Sequence, residues 1–395
     1  MIKKEFKKDL DTYFKLYEEK HIYPYYSISK EEINKFIEEY ISKNDVLNKY
    51  DFAYLLKLIM KKLSNKKDTH MFMNYEDGKF MPISCEYIND EFIISDASDK
   101  YKKYIGSKIQ SINGVLVDTL KKEAEKIINY ATTGKLYDEL STYVSSNYSR
   151  IKTLPSIDSD CTKFKFVIND EQVIFDEKET FKEDKENFIY EMVEDTIIFH
   201  YNNCKEEYNG QIKDIIEEIK RIINSNNINN FILDLRDNMG GNSNIIKPLI
   251  KYLKESKLNL YTFVGRKTFS SGIWAACGMK EIGSKIIGEE VSDTLNGFGN
   301  IIFEKLPNSG FTVSYSYRYY SLAPDKIVLT DKEEIDKNKD LVDKDYHLNI
   351  DYVVNKTRDD IINNKDPYMV MYDLVKGGAG YEYANGSISR KTKRR

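Results

Sequence analysis

The chain contains, near its middle, the segment Asn230-Phe231-Ile232-Leu233-Asp234-Leu235-Arg236-Asp237-Asn238-Met239-Gly240-Gly241. A mostly apolar run of strand length ends in two glycines, and a helical pattern at 244–255 follows. A strand that leads into a helix in this way is typical of a parallel sheet covered by helices. The surrounding sequence repeats the unit, with helices at 209–223 and from about Ser271, and strands at 258–264 and 284–288. We therefore predict an α/β fold with a largely parallel sheet.

The sequence before this segment predicts helices and then short strands. Apolar residues recur at helical spacing from residue 1 to about 65, where Ser29 and Glu32 have the pattern of a capping box. After residue 71 the pattern changes to short strands, with a tight hairpin at Asn113-Gly114. Three further stretches predict a helix at about 118–130, a connector at 140–160 and a basic, disordered tail from Gly377.

The composition is that of a globular chain, and it excludes one class of partner. Of 395 residues, 41% are hydrophobic and 31% are charged, which is neither a disordered nor a membrane composition. The 60 basic residues do not exceed the 64 acidic ones, and the net charge is −4. Because a nucleic-acid binder usually carries a basic excess, we expect no nucleic-acid partner.

Location and cofactors are predicted from what the sequence lacks. No run of about 18 apolar residues is present, so we expect no stable insertion into a membrane. The basic N-terminus has no apolar signal region, which predicts a cytoplasmic protein; a chain that had lost a signal would be secreted or belong to the cell envelope. The four cysteines lie far apart and only four histidines are present, so we expect free thiols, no metal and no cofactor.

Two segments lie where the strands of such a sheet end, which is where ligands bind. In the first, Gly240 and Gly241 let backbone N–H groups approach a ligand, and the helix start that follows adds free donors. This pattern fits an oxyanion or phosphate cradle, but it also fits an ordinary turn from strand to helix. Neither a dinucleotide-binding nor a P-loop motif is present.

The second segment is Gly265-Arg266-Lys267-Thr268-Phe269-Ser270-Ser271-Gly272. A serine between a strand and a helix can be an exposed nucleophile, with its neighbour's N–H aimed at the oxyanion. The same serine can simply cap the helix. A nucleophile also needs a base, and the residues alone leave four candidates: His21, His70, His200 and His347.

Several segments, in this order, resemble the S41 peptidases, the family of tail-specific or C-terminal processing proteases that includes the tricorn core. They are Asp68-Thr69-His70, Gly106 to Gly114, Asp234 to Gly241, Thr268 to Gly272, Ile286 to Glu289, Leu306 to Gly310 and Asn349 to Asp351. The resemblance implies a ClpP/crotonase-like catalytic core, a reduced PDZ-like domain and an N-terminal helical region. The implied boundaries are 1–70 for the helical region, 71–150 for the PDZ-like domain, 151–376 for the catalytic domain and 377–395 for the tail.

The resemblance also implies the site. Ser270 falls at the family's nucleophile, but the region 289–295 has no lysine where the Ser/Lys members carry one. The chain is therefore more similar to the tricorn-like Ser/His branch. In that branch the base would be His70, and Thr69 would stand at a relay hydroxyl. The remaining implied residues are a supporting acid, Asp343 or Asp345, and oxyanion donors from the backbone of Gly240, Gly241 and Ser271.

The function implied by the resemblance is a serine endopeptidase that cleaves unstructured or C-terminal peptide segments, with peptide or protein as its partner. Two alternatives remain open. One is a non-catalytic peptide-binding or scaffold protein that keeps the fold. The other is an α/β-hydrolase esterase whose triad would be Ser270, Asp325 and His347. The oligomeric state is not predicted.

Overall fold

The computed structural model describes residues 1–75, 78–179, 187–205, 209–225, 227–377, 381–384 and 387–390. The chain forms two units, each of which combines two separate stretches of sequence. The first unit comprises Met1–Glu183 and Thr294–Tyr346, and the second comprises Asp184–Asp293 and His347–Arg395.

The described helices, in chain order, are α1 Lys4–Lys20, α2 Lys30–Lys43, α3 Lys49–Ser64, α4 Val117–Ile127, α5 Thr133–Ser145, α6 Tyr148–Lys152, α7 Asn209–Ser225, α8 Lys247–Glu255, α9 Ser271–Glu281, α10 Lys332–Lys337, α11 Lys339–Val342, α12 Arg358–Ile362 and α13 Pro367–Lys376. The described strands are β1 Met73–Asn74, β2 Ile83–Ile88, β3 Glu91–Ala97, β4 Ile109–Ile112, β5 Val115–Leu116, β6 Lys163–Ile168, β7 Glu171–Asp176, β8 Phe188–Val193, β9 Thr196–Tyr201, β10 Asn230–Asp234, β11 Asn259–Val264, β12 Lys285–Gly288, β13 Asn296–Lys305, β14 Thr312–Ser321, β15 Ile327–Leu329, β16 Tyr352–Val353, β17 Tyr381–Ala384 and β18 Ser387–Arg390. None of these helices is both long and apolar enough to cross a membrane.

The N-terminal helices of the first unit pack against an antiparallel sheet in the order β1-β14-β13, with β15 beside β14. The prediction of helices over residues 1–65 is confirmed, and so is the capping box. The Glu32 N–H donates to Ser29 Oγ over 3.2 Å, while the Ser29 N–H donates to Glu32 Oε2 over 3.0 Å. Leu306 to Gly310, which resembles a closing strand in sequence, forms the turn between β13 and β14. Buried Asp9 on α1 holds this turn through the N–H groups of residues 308 and 309.

The rest of the first unit contains two smaller antiparallel sheets, β2-β3 and β5-β4-β6-β7. The predicted hairpin is confirmed, because Asn113 (φ 51°) and Gly114 (φ 81°) form the turn between β4 and β5. The prediction of a connector over 140–160 is wrong in its first half. There α5 and α6 bury Tyr143 and Tyr148 within a core shared with β6, and this burial outweighs the many polar residues of the stretch.

The second unit is built on a six-stranded sheet in the order β16-β12-β11-β10-β9-β8. All neighbouring strands are parallel except the β8-β9 hairpin, which confirms the predicted parallel sheet. Every residue of β10 is buried, as expected for a central strand covered on both faces. Since β10 and β11 are parallel neighbours, the loops after Asp234 and Val264 emerge side by side at one edge of the sheet.

The mixed α/β fold is therefore confirmed, while the ClpP/crotonase-like and PDZ-like assignments and the four domain boundaries stay predictions. Strands β13 and β14 belong to the first unit, although the predicted boundaries assign them to the catalytic domain. Within the predicted tail, the backbone of β17 pairs antiparallel with β18. The other tail residues, 378–380, 385–386 and 391–395, lie outside the described residues.

Candidate active site

Asn238 holds the glycine turn of the second unit. Its side chain is fully buried; the Nδ2 donates to the Tyr201 carbonyl over 2.6 Å and the Oδ1 accepts the Gly240 N–H over 2.9 Å. Its own carbonyl accepts the Phe269 N–H over 2.9 Å. Asn238 therefore ties the turn both to the end of β9 and to the loop that carries Ser270. It was not among the predicted site residues, although an amide before two glycines is a sequence signal for a braced turn.

The two glycines are required by close packing. Gly240 has a φ of +98°, and a Cβ there would lie 2.7 Å from the Ser270 Cβ and 2.9 Å from the Ser271 N. Gly241 has a φ of +136°, and a Cβ there would overlap the carbonyl of Cys204. Four of the predicted residues, Gly240, Gly241, Ser270 and Ser271, therefore lie together.

Ser270 has the backbone of a strained position. Its φ of 50° and ψ of −121° are unfavourable for a residue with a side chain, and such strain costs about 1–3 kcal/mol. Although Ser270 occupies the N-cap position of α9, its side chain makes no capping hydrogen bond within the described part of the chain. The neighbouring Ser271 instead donates its hydroxyl to the Gly241 carbonyl over 2.6 Å. The interpretation of Ser270 as an ordinary cap therefore does not fit this geometry.

The backbone N–H groups beside Ser270 differ in whether they already have a hydrogen-bond acceptor. The N–H of Gly240 is already bonded to Asn238, as described above. For Gly241 and Ser271, no acceptor of the N–H lies among the residues that the structure describes. The predicted set of three oxyanion donors therefore narrows to two candidates, Gly241 and Ser271.

A second anchor lies on the loop itself. Thr268 is fully buried; its hydroxyl donates to the Leu235 carbonyl over 2.8 Å and accepts the Gly265 N–H over 2.9 Å. These bonds fix both ends of the short loop between β11 and Ser270. Thr268 belongs to the segment that resembles the family's nucleophile segment, but its bracing role was not predicted.

A charged network stiffens the same edge of the sheet. Arg236 donates from Nη2 to Asp234 over 2.7 Å and from Nη1 to Asp366 over 2.9 Å, and its guanidinium lies over the ring of Tyr368. Burial opposes the charge of Asp234, but Arg236 outweighs it and holds the pKa of Asp234 far below its usual range. His200 Nδ1 lies 2.9 Å from Asp234 Oδ2, and this hydrogen bond raises the pKa of His200. Because its Nδ1 is engaged in this pair, His200 is a poor candidate for the base.

Replacement of Asn238 by alanine is expected to lower the free energy of unfolding by about 2–4 kcal/mol, because the buried Tyr201 carbonyl and the partly buried Gly240 N–H both lose their partner. Urea denaturation measures the change. Asn244→Ala is the matched control, since Asn244 is exposed and its side-chain oxygen accepts a hydrogen bond from nearby Lys247. Equal stability of the two variants would contradict the bracing role of Asn238.

In the first unit, His70 lies in the loop after α3 and is 4% exposed. Its backbone N–H donates to Asp68 Oδ1 over 3.1 Å, its carbonyl accepts the Ser314 hydroxyl over 2.6 Å, and its ring contacts the edge of Tyr320. Burial lowers the pKa of His70 to about 4; Asp68 opposes the shift and Lys135 adds to it. The imidazole is therefore neutral at pH 7, which is the form that a general base requires. The neighbouring Thr69 is also buried.

Beside His70 lies a buried pair that was not predicted. His21 Nε2 is 3.0 Å from Asp68 Oδ2, and both residues are almost fully buried. The Tyr23 N–H donates to His21 Nδ1 over 3.1 Å, so the proton of a neutral His21 lies on Nε2 and points at Asp68. Ser316 donates its hydroxyl to the other oxygen of Asp68 over 2.9 Å.

The two acids predicted to support His70 have other partners. Asp343 accepts the hydroxyl of Tyr26 over 2.5 Å, and Asp345 accepts the ammonium of Lys67 over 2.8 Å. Both carboxylates are exposed, whereas His70 is buried. The structure therefore gives no support to Asp343 or Asp345 as the acid of His70, and the carboxylate beside His70 is that of Asp68.

The histidine and the acid of the alternative triad, His347 and Asp325, lie in exposed surroundings. His347 is about half exposed, and its nearest carboxylate is Glu290 at 4.0 Å. Asp325 is exposed in the first unit. His70 belongs to the first unit and Ser270 to the second, so their pairing stays a prediction.

The neutral form of His70 predicts how stability depends on pH. Between about pH 6.5 and pH 4 the unfolded chain takes up a proton that folded His70 refuses, so folding weakens as the pH falls. This loss amounts to about 2–3 kcal/mol by pH 4.5. A His70→Gln variant is expected to lose less stability than the wild type between pH 7 and pH 4.5 in urea denaturation. Equal losses in the two proteins would contradict a buried, neutral His70.

Comparison with known proteins gives a fold and no close relative. No family model and no curated protein matches the chain. Among solved structures, mature CPAF complexed with lactacystin is 10% identical, covers 94% of this chain and 97% of its own, and has a TM-score of 0.65. A serine-to-alanine mutant of CPAF is 10% identical with a TM-score of 0.64, covering 94% of this chain and 96% of its own.

The photosystem II D1 C-terminal processing protease is 12% identical, covers 84% of this chain and 92% of its own, and has a TM-score of 0.42. At this score the likeness adds nothing to the fold assignment. The two CPAF structures establish that this chain shares their fold.

Proposed function

We propose that the chain is an S41-type serine endopeptidase that cleaves unstructured or C-terminal peptide segments, with Ser270 as its nucleophile. The observation that carries the proposal is the geometry of Ser270 at the N-cap of α9. Its backbone is strained, its side chain makes no capping hydrogen bond within the described residues, and it packs against the glycine turn. The sequence resemblance to the S41 peptidases and the fold shared with CPAF support the same conclusion.

The surroundings of Ser270 suit a reaction that develops negative charge. Ser270 is the N-cap residue of α9, and a helix start presents free N–H groups and the positive end of the helix dipole. In the proposed mechanism, the N–H groups of Gly241 and Ser271 bind the oxyanion of the tetrahedral intermediate. One such donor is worth about 3 kcal/mol of the barrier.

His70 is the proposed base, and the sequence resemblance supports its pairing with Ser270. Neutral His70 takes the hydroxyl proton as Ser270 Oγ bonds to the peptide carbonyl carbon. The imidazolium then gives this proton to the leaving amine as the C–N bond breaks. In the second half of the reaction, the hydrolysis of the acyl-enzyme, His70 takes a proton from water while the water oxygen attacks the acyl ester. The proton returns to Ser270 as the peptide acid leaves.

Substrate capture by strand addition is the proposed role of the sheet that contains β4 and β5 of the predicted PDZ-like region; its edge strand β7 lies just beyond that region, in the predicted catalytic domain. In the described part of the chain, β7 pairs only with β6, so its other edge offers unpaired backbone groups. Ile174 on this strand is 59% exposed. An extended peptide can pair with such an edge.

Incubation with an unfolded protein such as reduced casein tests the proposal. We expect peptide products by mass spectrometry, and no cleavage of a stably folded protein under the same conditions. Binding of the unfolded protein without cleavage would instead indicate the non-catalytic alternative. Hydrolysis of nitrophenyl esters that depends on His347 and not on His70 would indicate the esterase.

A further inference from the structure

We propose that Asp68 is a positioning residue for His70, and that His21 and Ser316 hold Asp68 for this role. The inference rests on the proposed function, because it assigns residues that act on the base of that reaction. Neither Asp68 nor His21 would itself touch the substrate.

Three hydrogen bonds hold the carboxylate of Asp68 in place. The carboxylate is 2% exposed and accepts hydrogen bonds from His21 Nε2 (3.0 Å), the Ser316 hydroxyl (2.9 Å) and the backbone N–H of His70 (3.1 Å). These three groups come from the segment after α1, from β14 and from the loop itself. A carboxylate held from three elements fixes the main chain at residue 70 and therefore the origin of the His70 side chain.

The negative charge of Asp68 also supports the role of His70 as the base. Within the described residues its only ion-pair partner is His21. When His70 accepts the proton of Ser270, this nearby negative charge stabilises the imidazolium, while the charge of Lys135 opposes it. The other ionisable groups that face Asp68 or His70 are the phenols of Tyr13, Tyr17 and Tyr320.

This arrangement differs from the acid of a Ser-His-Asp triad. A triad acid accepts the ring N–H of its histidine, whereas Asp68 accepts the backbone N–H of His70. We therefore expect a smaller effect than the loss of a triad acid. Misplacement of a reacting group by about 1 Å costs about 10²-fold in rate, which sets the upper end of the expected effect.

Kinetics of peptide cleavage by four variants test the role. Asp68→Asn and His21→Leu are expected to lower kcat about 10- to 100-fold with KM within about threefold, because the substrate contacts remain. His21→Gln keeps an N–H donor for Asp68 and is expected to retain kcat within about threefold. Asp336→Asn, which alters an exposed carboxylate bonded to Tyr23, is the matched control.

The pH profile separates the role from a structural one. Without the charge of Asp68, the imidazolium of His70 is less stable, so the acid limb of kcat/KM moves to lower pH in Asp68→Asn. A mere loss of folded protein would lower the amplitude and leave this limb in place. Thermal melting curves of all four variants record the folded fraction.

Histidine NMR tests the cluster without any need for activity. Long-range ¹H–¹⁵N spectra at pH 7 resolve the four rings, which single histidine variants assign. We expect His21 to be the Nε2–H tautomer in the wild type, and its Nε2 proton signal to shift in Asp68→Asn. This result in a protein without peptidase activity would overturn the proposed function and leave the anchored cluster standing.

Two outcomes would overturn the inference itself. One is an active wild type in which Asp68→Asn and His21→Leu keep kcat within twofold and leave the acid limb unmoved. The other is a His21 ring with its proton on Nδ1. A His21→Gln variant as impaired as His21→Leu, although folded, would likewise remove the donor role of His21.

Discussion

A Ser270→Ala protein is expected to lose at least about 10⁴-fold of its peptidase activity while it keeps the wild-type fold. The hydroxyl is the proposed nucleophile, and no acyl ester can form without it. Initial rates of peptide cleavage measure the loss, with circular dichroism as the check on folding. Ser225→Ala is the matched control, because Ser225 is exposed at the end of α7 and its hydroxyl donates to carbonyls of its own helix.

A Ser270→Gly protein extends this prediction to stability. Glycine adopts a positive φ at little cost, so this variant is expected to be inactive and yet more stable than the wild type by about 1 kcal/mol. A gain in stability with a loss of activity is the signature of strain held at a functional residue. Full activity in either Ser270 variant would contradict the assignment of the nucleophile.

Replacement of His70 by alanine is expected to lower activity by a factor similar to that of Ser270→Ala, about 10⁴-fold or more. Residues that act as one unit have non-additive effects, so the double variant should be no worse than either single variant. This comparison tests whether His70 and Ser270 act in the same step. Losses that multiply in the double variant would show that they act independently.

The control for His70 is His347→Ala, which is expected to keep activity within twofold, because His347 is exposed. The pH profile gives a second check. Since burial lowers the pKa of His70 to about 4, its basic form persists well below the usual range of histidine. Activity should therefore stay high at mildly acidic pH and fall toward pH 4. An acid limb near pH 6.5 would contradict His70 as the base.

The sheet of the second unit could be predicted because each of its central strands is an apolar run covered on both faces. The strands predicted at 258–264 and 284–288 each differ from the observed β11 and β12 by one residue at one end. The prediction of a connector over 140–160 was wrong in its first half for the opposite reason, because that stretch is rich in polar residues. Its serines, threonines and asparagines indicate a loop, and only tertiary burial of residues such as Tyr143 makes it helical.

The sequence predicted those parts of the candidate site that each lie within one short segment. The glycine turn and Ser270 are each local in sequence, and the structure brings them together. The brace from Asn238 to Tyr201 and the contact of His21 with Asp68 join residues 37 and 47 positions apart. No sequence pattern indicates such contacts, and the resemblance pointed instead to an acid near the C-terminal end, Asp343 or Asp345.

Covalent labelling with a fluorophosphonate, followed by peptide mapping, tests the central assignment most directly. The reagent phosphonylates an activated serine and spares ordinary hydroxyls. We expect one adduct per chain on the peptide that contains Ser270, none in Ser270→Ala, and much slower labelling in His70→Ala. An adduct on another residue, or no adduct on folded wild-type protein while a known serine protease is labelled in the same tube, would contradict the proposed function.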